Sequence, residues 1–175
     1  MRKDFRIERN GVVLKGYCWE PEIEPIASLV LVHGMAETIE RYDEFASFLS
    51  ERGFVVFGIN QRGHGPEAEA LGYLGENGIL NMMEDLKEVV DKVRAAHLSL
   101  PLFLFGHSMG SFITRLFLVD YANLIQGAVI SGTGVFGRMQ LFFGRLVAAM
   151  HVRRHGPKSP SMLLHNLAFS SFDKA

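Results

Sequence analysis

Pro101-Leu102-Phe103-Leu104-Phe105-Gly106-His107-Ser108-Met109-Gly110 decides the reading of this chain. A proline opens a short apolar run, Leu102 to Phe105, of the length and composition of a buried strand. It passes directly into Gly-x-Ser-x-Gly, and an apolar helical pattern over Phe112 to Tyr121 follows. The five-residue pattern alone is weak; between a buried strand and a helix it is the context of a strained strand-to-helix turn presenting a nucleophile. Such a turn leaves no room for side chains two positions before and after the serine, and Gly106 and Gly110 stand there. The helix starting near Met109 points its positive end at the place where an oxyanion would form. The plainer reading is a glycine-requiring turn in which Ser108 only caps the helix. It leaves the preceding buried strand unexplained.

Working outward, Ala27 to Val32 and Phe54 to Ile59 are unbroken apolar runs, as expected for strands covered on both faces. Residues 3–9 and 12–19 read as a hairpin joined at Asn10-Gly11. Helical patterns separate the long strands. One places Tyr42, Phe45, Ala46 and Leu49 on a single face and stops at Gly53; another runs from about Asn81 to His97, with Met83, Leu86, Val89, Val90 and Val93 inward. Residues 63–79 read as loop, and Gln126 to Ile130 as a further strand. Strands alternating with helices predict an α/β fold with a mostly parallel sheet and helices on both faces. After Ser131 the rhythm breaks. Residues 135–150 read as an apolar, Arg-containing helix, 151–160 as basic and turn-rich, and 161–170 as a second short helix. The expected organisation is a core over 1–133 and the start of a lid inserted over 134–175.

Met35 and Met109 are the expected oxyanion-hole donors. Met109 follows the nucleophile, and in His33-Gly34-Met35 the glycine lets the backbone turn so that the Met35 N–H can face the reacting carbonyl. His33 reads as a histidine that hydrogen-bonds loop backbone, with His107 and Gly110 supporting the turn itself.

His33-Gly34-x-x-Glu37, Arg41-Tyr42, Gln61-Arg62-Gly63-His64-Gly65 and Gly106-His107-Ser108-Met109-Gly110, in this order, resemble the monoacylglycerol lipase and lysophospholipase branch of the α/β-hydrolases, of the serine aminopeptidase S33 type. The resemblance runs from about Val30 to Gly132. It implies cleavage of a carboxylic ester of a single-chain lipid, or a similar small acyl substrate, through an acyl-enzyme on Ser108. Many relatives carry Asp where this chain has Asn60, so a loop-anchoring charge contact there is expected to be lost. Arg62 and His64 read as loop-stabilising.

In that fold the acid and then the base follow the serine in the chain. After Ser108 the carboxylates are Asp120 and Asp173. Asp120 lies roughly 18 Å along the same helix, too far to orient a base. No histidine follows Asp173, and His151, His155 and His165 fall in the lid segment. The triad is therefore expected to be incomplete and the fold truncated before its last strands. The strand near Gln126 to Ile130 would then present an unpaired edge that invites self-association. The second reading is a non-catalytic relic that binds an apolar ligand or a partner. A third keeps the fold and changes the substrate to a peptide or a carbon–carbon bond; haloalkane chemistry normally uses a carboxylate at the elbow.

The 175 residues suggest one domain, and 48% hydrophobic with 21% charged residues is ordinary for a globular protein. A formal charge of -1 gives no electrostatic reason to expect nucleic acid or an anionic membrane. No signal-peptide pattern opens the chain, and the single cysteine, Cys18, reads as a buried apolar residue, so a cytoplasmic location is expected. Leu141, Phe142, Phe143, Leu146 and Val147 suit either an acyl chain or packing of a lid onto the core, and they admit peripheral membrane contact. No metal-ligand cluster or phosphate loop is legible, and no cofactor is expected.

Overall fold

The computed structural model describes residues 1–135 and 137–169, and the chain divides into two compact units between Thr133 and Gly134. The first unit carries a six-stranded sheet: β1 (Arg2–Arg9), β2 (Val12–Trp19), β3 (Ala27–Val32), β4 (Phe54–Ile59), β5 (Leu102–His107) and β6 (Gly127–Ser131). Their order across the sheet is β1-β2-β4-β3-β5-β6. The last four are parallel, and the β1–β2 hairpin adds antiparallel to β4. Asn10 and Gly11 both take positive φ, 52° and 74°, as the two-residue turn joining these strands requires.

Alternation along the strands divides the core. Val30, Val32, Phe57 and Leu104 point to one face, which α2 (Gly78–Ala96) and α3 (Met109–Tyr121) cover with Val89, Val90, Val93, Ile113 and Phe117. Leu29, Leu31 and Val56 point to the other, where α1 (Asp43–Ser50) and the preceding 3₁₀ turn supply Ala46 and Ile39. The sheet with helices on both faces is the expected α/β architecture.

Helix α3 starts at Met109, directly after the serine, as the sequence reading has it, whereas α2 starts at Gly78, inside the stretch expected as loop. Phe45 does not join the buried face of α1; it is 38% exposed and tilts over the Phe105 ring at 5.2 Å. Cys18 is buried, and burial pushes its thiol up to about 12.

An ion cluster closes the end of the sheet near the 61–65 loop. Asp85, on α2, has a side chain only 3% exposed between Arg9 and Arg62. Arg9 Nε donates to Asp85 Oδ1 at 2.7 Å, and Arg9 Nη2 also donates to the Asn81 carbonyl. Arg62 grips both carboxylate oxygens through Nε and Nη2. A carboxylate this deeply buried is tolerable because its oxygens are fully occupied by fixed donors.

The second unit holds α4 (Arg138–His155) and α5 (Met162–Phe169). Helix α4 continues through residues read as turn-rich, because no breaker interrupts the chain until Gly156, at φ 87°, with Pro157 behind it. Among the described residues no helix is long and apolar enough to cross a membrane.

Candidate active site

Ser108 stands between the end of β5 and the first residue of α3 with φ 50° and ψ −117°, a conformation that costs a non-glycine residue energy. The turn is held from three sides. The Ser108 N–H donates to the Ser131 carbonyl on β6 at 3.0 Å, and its own carbonyl accepts from the Ser111 N–H and hydroxyl. Thr114 Oγ1 donates to the Gly110 carbonyl at 2.8 Å. A side chain at Gly110 would overlap the Val32 carbonyl, and one at Gly106 would run into Thr114 and Gly110. Both glycines are thus required by close backbone approach.

The loop after β3 abuts this turn: a Cβ added to Gly34 would lie 3.1 Å from Ser108 Cβ. His33 is fully buried and organises the loop. Its Nε2 accepts the Gln61 N–H at 2.9 Å, so the ring proton resides on Nδ1, which donates to the Gly34 carbonyl at 2.8 Å. Gln61 Nε2 returns a hydrogen bond to the His33 carbonyl. The Gly34–Met35 peptide is trans, so the Met35 N–H points opposite to the carbonyl that His33 holds. Ala36 follows at φ 58°, a second strained residue in the same loop. Met109, first in α3, contributes one of the N–H groups that a helix start leaves without an intrahelical partner.

Glu37 braces the loop from below. Its Oε1 accepts from the Gly34 N–H and from the Tyr42 hydroxyl, the latter at 2.7 Å, and its Oε2 lies 3.2 Å from Arg41. Burial first, and then the bond to Glu37, raise the Tyr42 hydroxyl above its ordinary value and keep it a donor. Glu37, Arg41, Tyr42, Phe45, Phe105 and His107 line a cleft of about 290 Å³. His107 also stands 3.4 Å from Ser131 Oγ.

The anchoring contact expected to be lost at Asn60 is kept in another form. Asn60 Oδ1 accepts the Ile39 N–H at 2.8 Å, and Nδ2 faces Glu40, a carboxylate that an Asp would repel. Arg62 closes on Asp85, and His64 Nδ1 contacts the Arg62 carbonyl at 2.9 Å. The bracing roles of Gln61, Glu37 and Asp85 are not among those assigned from sequence. Only Glu37, three residues after Gly34, carries a local signal for one.

Burial holds the His33 imidazole down at about 4, below its ordinary 6.5, against the weaker opposing pull of the Gly34 carbonyl. A lowered folded pKa means the unfolded chain takes the proton first. The stability conferred by the neutral ring is therefore present above pH 6.5 and lost as pH falls through 4, by about 3 kcal/mol. Urea midpoints between pH 7 and pH 4 should show this loss in the wild type and a shallower one in His33→Asn. Equal slopes would refute it.

No histidine among the described residues is hydrogen-bonded to Ser108. Asp120 is exposed near the far end of α3. His151 contacts the Ser159 carbonyl and the His155 ring within the second unit. Asp173 and the His165 side chain lie outside the described residues.

The family model described as serine aminopeptidase, S33, matches residues 23–173. A monoacylglycerol lipase of Mycolicibacterium smegmatis is 31% identical over 126 residues, 72% of this chain and 44% of that protein. A monoglyceride lipase of Mus musculus is 30% identical over 128 residues, 71% of this chain and 40% of that protein. The chain thus spans less than half the length of these relatives. Among solved structures, a thermostable carboxyl esterase from Bacillus coagulans in complex with glycerol superposes with a TM-score of 0.79 at 24% identity. It covers 94% of this chain and 55% of its own. A soluble variant of monoglyceride lipase from Saccharomyces cerevisiae, in complex with a substrate analog, gives 0.68 at 19%, covering 87% and 52%. At these identities the superpositions establish the fold.

Proposed function

The chain belongs to the serine aminopeptidase S33 family of α/β-hydrolases, and from that premise we propose that it carries the nucleophile and oxyanion hole of a serine esterase acting on single-chain lipid esters. The observation that carries the proposal is the strained Ser108 turn with the Gly34 loop set so close that a Cβ added to Gly34 would lie 3.1 Å from Ser108 Cβ. Ser108 Oγ attacks the ester carbonyl while its proton passes to a histidine base. The carbonyl π bond opens, and the negative oxygen is received by the Met35 and Met109 N–H groups. Collapse breaks the ester C–O bond; the alcohol leaves with the base's proton, and water then releases the acid from the acyl-enzyme. The mechanism requires a histidine base and an orienting carboxylate, and no histidine is hydrogen-bonded to Ser108 among the described residues. The substrate class is drawn from relatives named monoacylglycerol lipase, monoglyceride lipase and probable lysophospholipase L2.

A fluorophosphonate probe applied to the protein expressed from its complete reading frame should form one adduct, located by mass spectrometry on the peptide containing Ser108. A second reading, ligand binding without turnover, is favoured by one observation: Ser108 has no histidine partner among the described residues. An unlabelled, folded protein that still binds a monoacylglycerol would establish that reading and exclude the first.

A further inference from the structure

The last turn of α4 carries two histidines, His151 and His155, four residues apart and therefore on one face of the helix. Their rings lie together, with centroids 4.8 Å apart and planes inclined by 35°. Gly156, at φ 87°, and Pro157 then turn the chain, with the Gly156 N–H on the Val152 carbonyl at 2.8 Å. The turn brings the Ser159 carbonyl to 3.2 Å from His151 Nε2. A carbonyl can only accept, so the ring proton of neutral His151 resides on Nε2 and the Nδ1 lone pair carries none.

We propose that His151 and His155 bind a divalent transition-metal ion of the Zn²⁺, Ni²⁺ or Cu²⁺ class, with His151 coordinating through Nδ1. Paired histidines at this helical spacing are a recurrent chelate for such ions. A metal-ligating histidine ordinarily donates its other ring N–H to a carbonyl or carboxylate, which fixes the tautomer, and the Ser159 carbonyl does this for His151. The ring spacing also fits. With metal–nitrogen bonds of about 2.0–2.1 Å, two imidazoles on one ion have centres roughly 4.5 to 5.2 Å apart, from a right-angled to a tetrahedral arrangement. The 4.8 Å separation falls within that range.

The surroundings decide which ions are accepted. Residues 1–133 carry eighteen Asp and Glu against twelve Lys and Arg; residues 134–175 carry one against six, and none of residues 134–169 is acidic. Arg153 and Arg154 share the last turn with the pair. Hard cations such as Mg²⁺, which are held by carboxylate oxygens, therefore find no ligands here, whereas imidazole nitrogen holds softer ions through its lone pair. Among the described residues no three His, Cys, Asp or Glu side chains gather, so water completes the shell. The site needs no chemistry at Ser108 and stands apart from the esterase reading.

Calorimetric titration of the tag-free, chelator-treated chain tests this. One Cu²⁺ should bind, more tightly than Ni²⁺ or Zn²⁺, and Mg²⁺ should not bind. His151→Asn and His155→Asn should each weaken Cu²⁺ binding by about tenfold or more, with helix content by circular dichroism unchanged. The electron paramagnetic resonance spectrum of the Cu²⁺-loaded wild type, which requires no variant, should show coupling to two imidazole nitrogens. Wild-type affinity in both variants, coupling to fewer than two nitrogens, no Cu²⁺ binding, or Mg²⁺ bound as tightly as Cu²⁺ would each overturn the proposal and leave His151 as a helix-end anchor on Ser159.

Discussion

Ser108→Ala, in the protein expressed from its complete reading frame, is expected to lower ester turnover by about 10⁴-fold or more while leaving KM nearly unchanged. Removing the hydroxyl deletes the atom that forms the acyl-enzyme but touches neither oxyanion donor. Ala must adopt the same positive φ of 50°, so the strain of the turn persists and the melting temperature should stay close to that of the wild type. Steady-state hydrolysis of a monoacylglycerol checks the rate, and a thermal melt checks the fold. Turnover at the wild-type level would remove Ser108 from the mechanism, whatever its conformation.

Gly110→Ala should be the most damaging single methyl group in the first unit. Its Cβ would overlap the Val32 carbonyl and lie 2.7 Å from the His33 carbonyl oxygen. These are backbone atoms of β3 and the loop that follows it, so no rotamer change relieves the clash. Either α3 tilts away from the sheet or the loop carrying Met35 is pushed from Ser108. Overpacking of this kind costs about 3 kcal/mol, a drop in melting temperature of about 10 °C for a chain of this size. Fluorophosphonate labelling should fall with it. Gly144→Ala, inside α4 with nothing within 4 Å of the new methyl group, is the control; it should raise helix stability by up to about 1 kcal/mol. If Gly110→Ala melts with the wild type, the tight packing of the turn on β3 is wrong.

The fold was legible where one strand or helix announced itself locally. Apolar runs such as Ala27 to Val32 have no other use than a sheet covered on both faces, and the Gly106 to Gly110 pattern requires a sharp turn. Legibility ended where the deciding contact crosses the chain. Gly78 reads as part of a glycine-rich loop, yet it starts α2 because Met82, Met83 and Leu86 find the sheet. Phe45 fits an apolar stripe but covers Phe105 beside the cleft instead of entering the core. At the candidate site the pattern supplied residue types without their partners. That Gln61 fixes the His33 tautomer across 28 residues, and that Asn60 replaces a charge with an amide bridge to Ile39 and Glu40, are tertiary facts. Whole-chain charge is a coarse summary, because the opposite balances on the two sides of the division at Thr133 nearly cancel in it.

The carboxylate of Asp85 joins three stretches that leave the ribosome at different times. Arg9 emerges first, Arg62 later, and Asp85 last, 76 residues after the first arginine. In the finished fold they share one carboxylate, so the loop that presents Gln61 to the His33 ring is pinned, through Arg62 and Asp85, to the first strand of the chain. A charge removed at Arg9 would therefore be felt at the His33 loop, far from it in sequence.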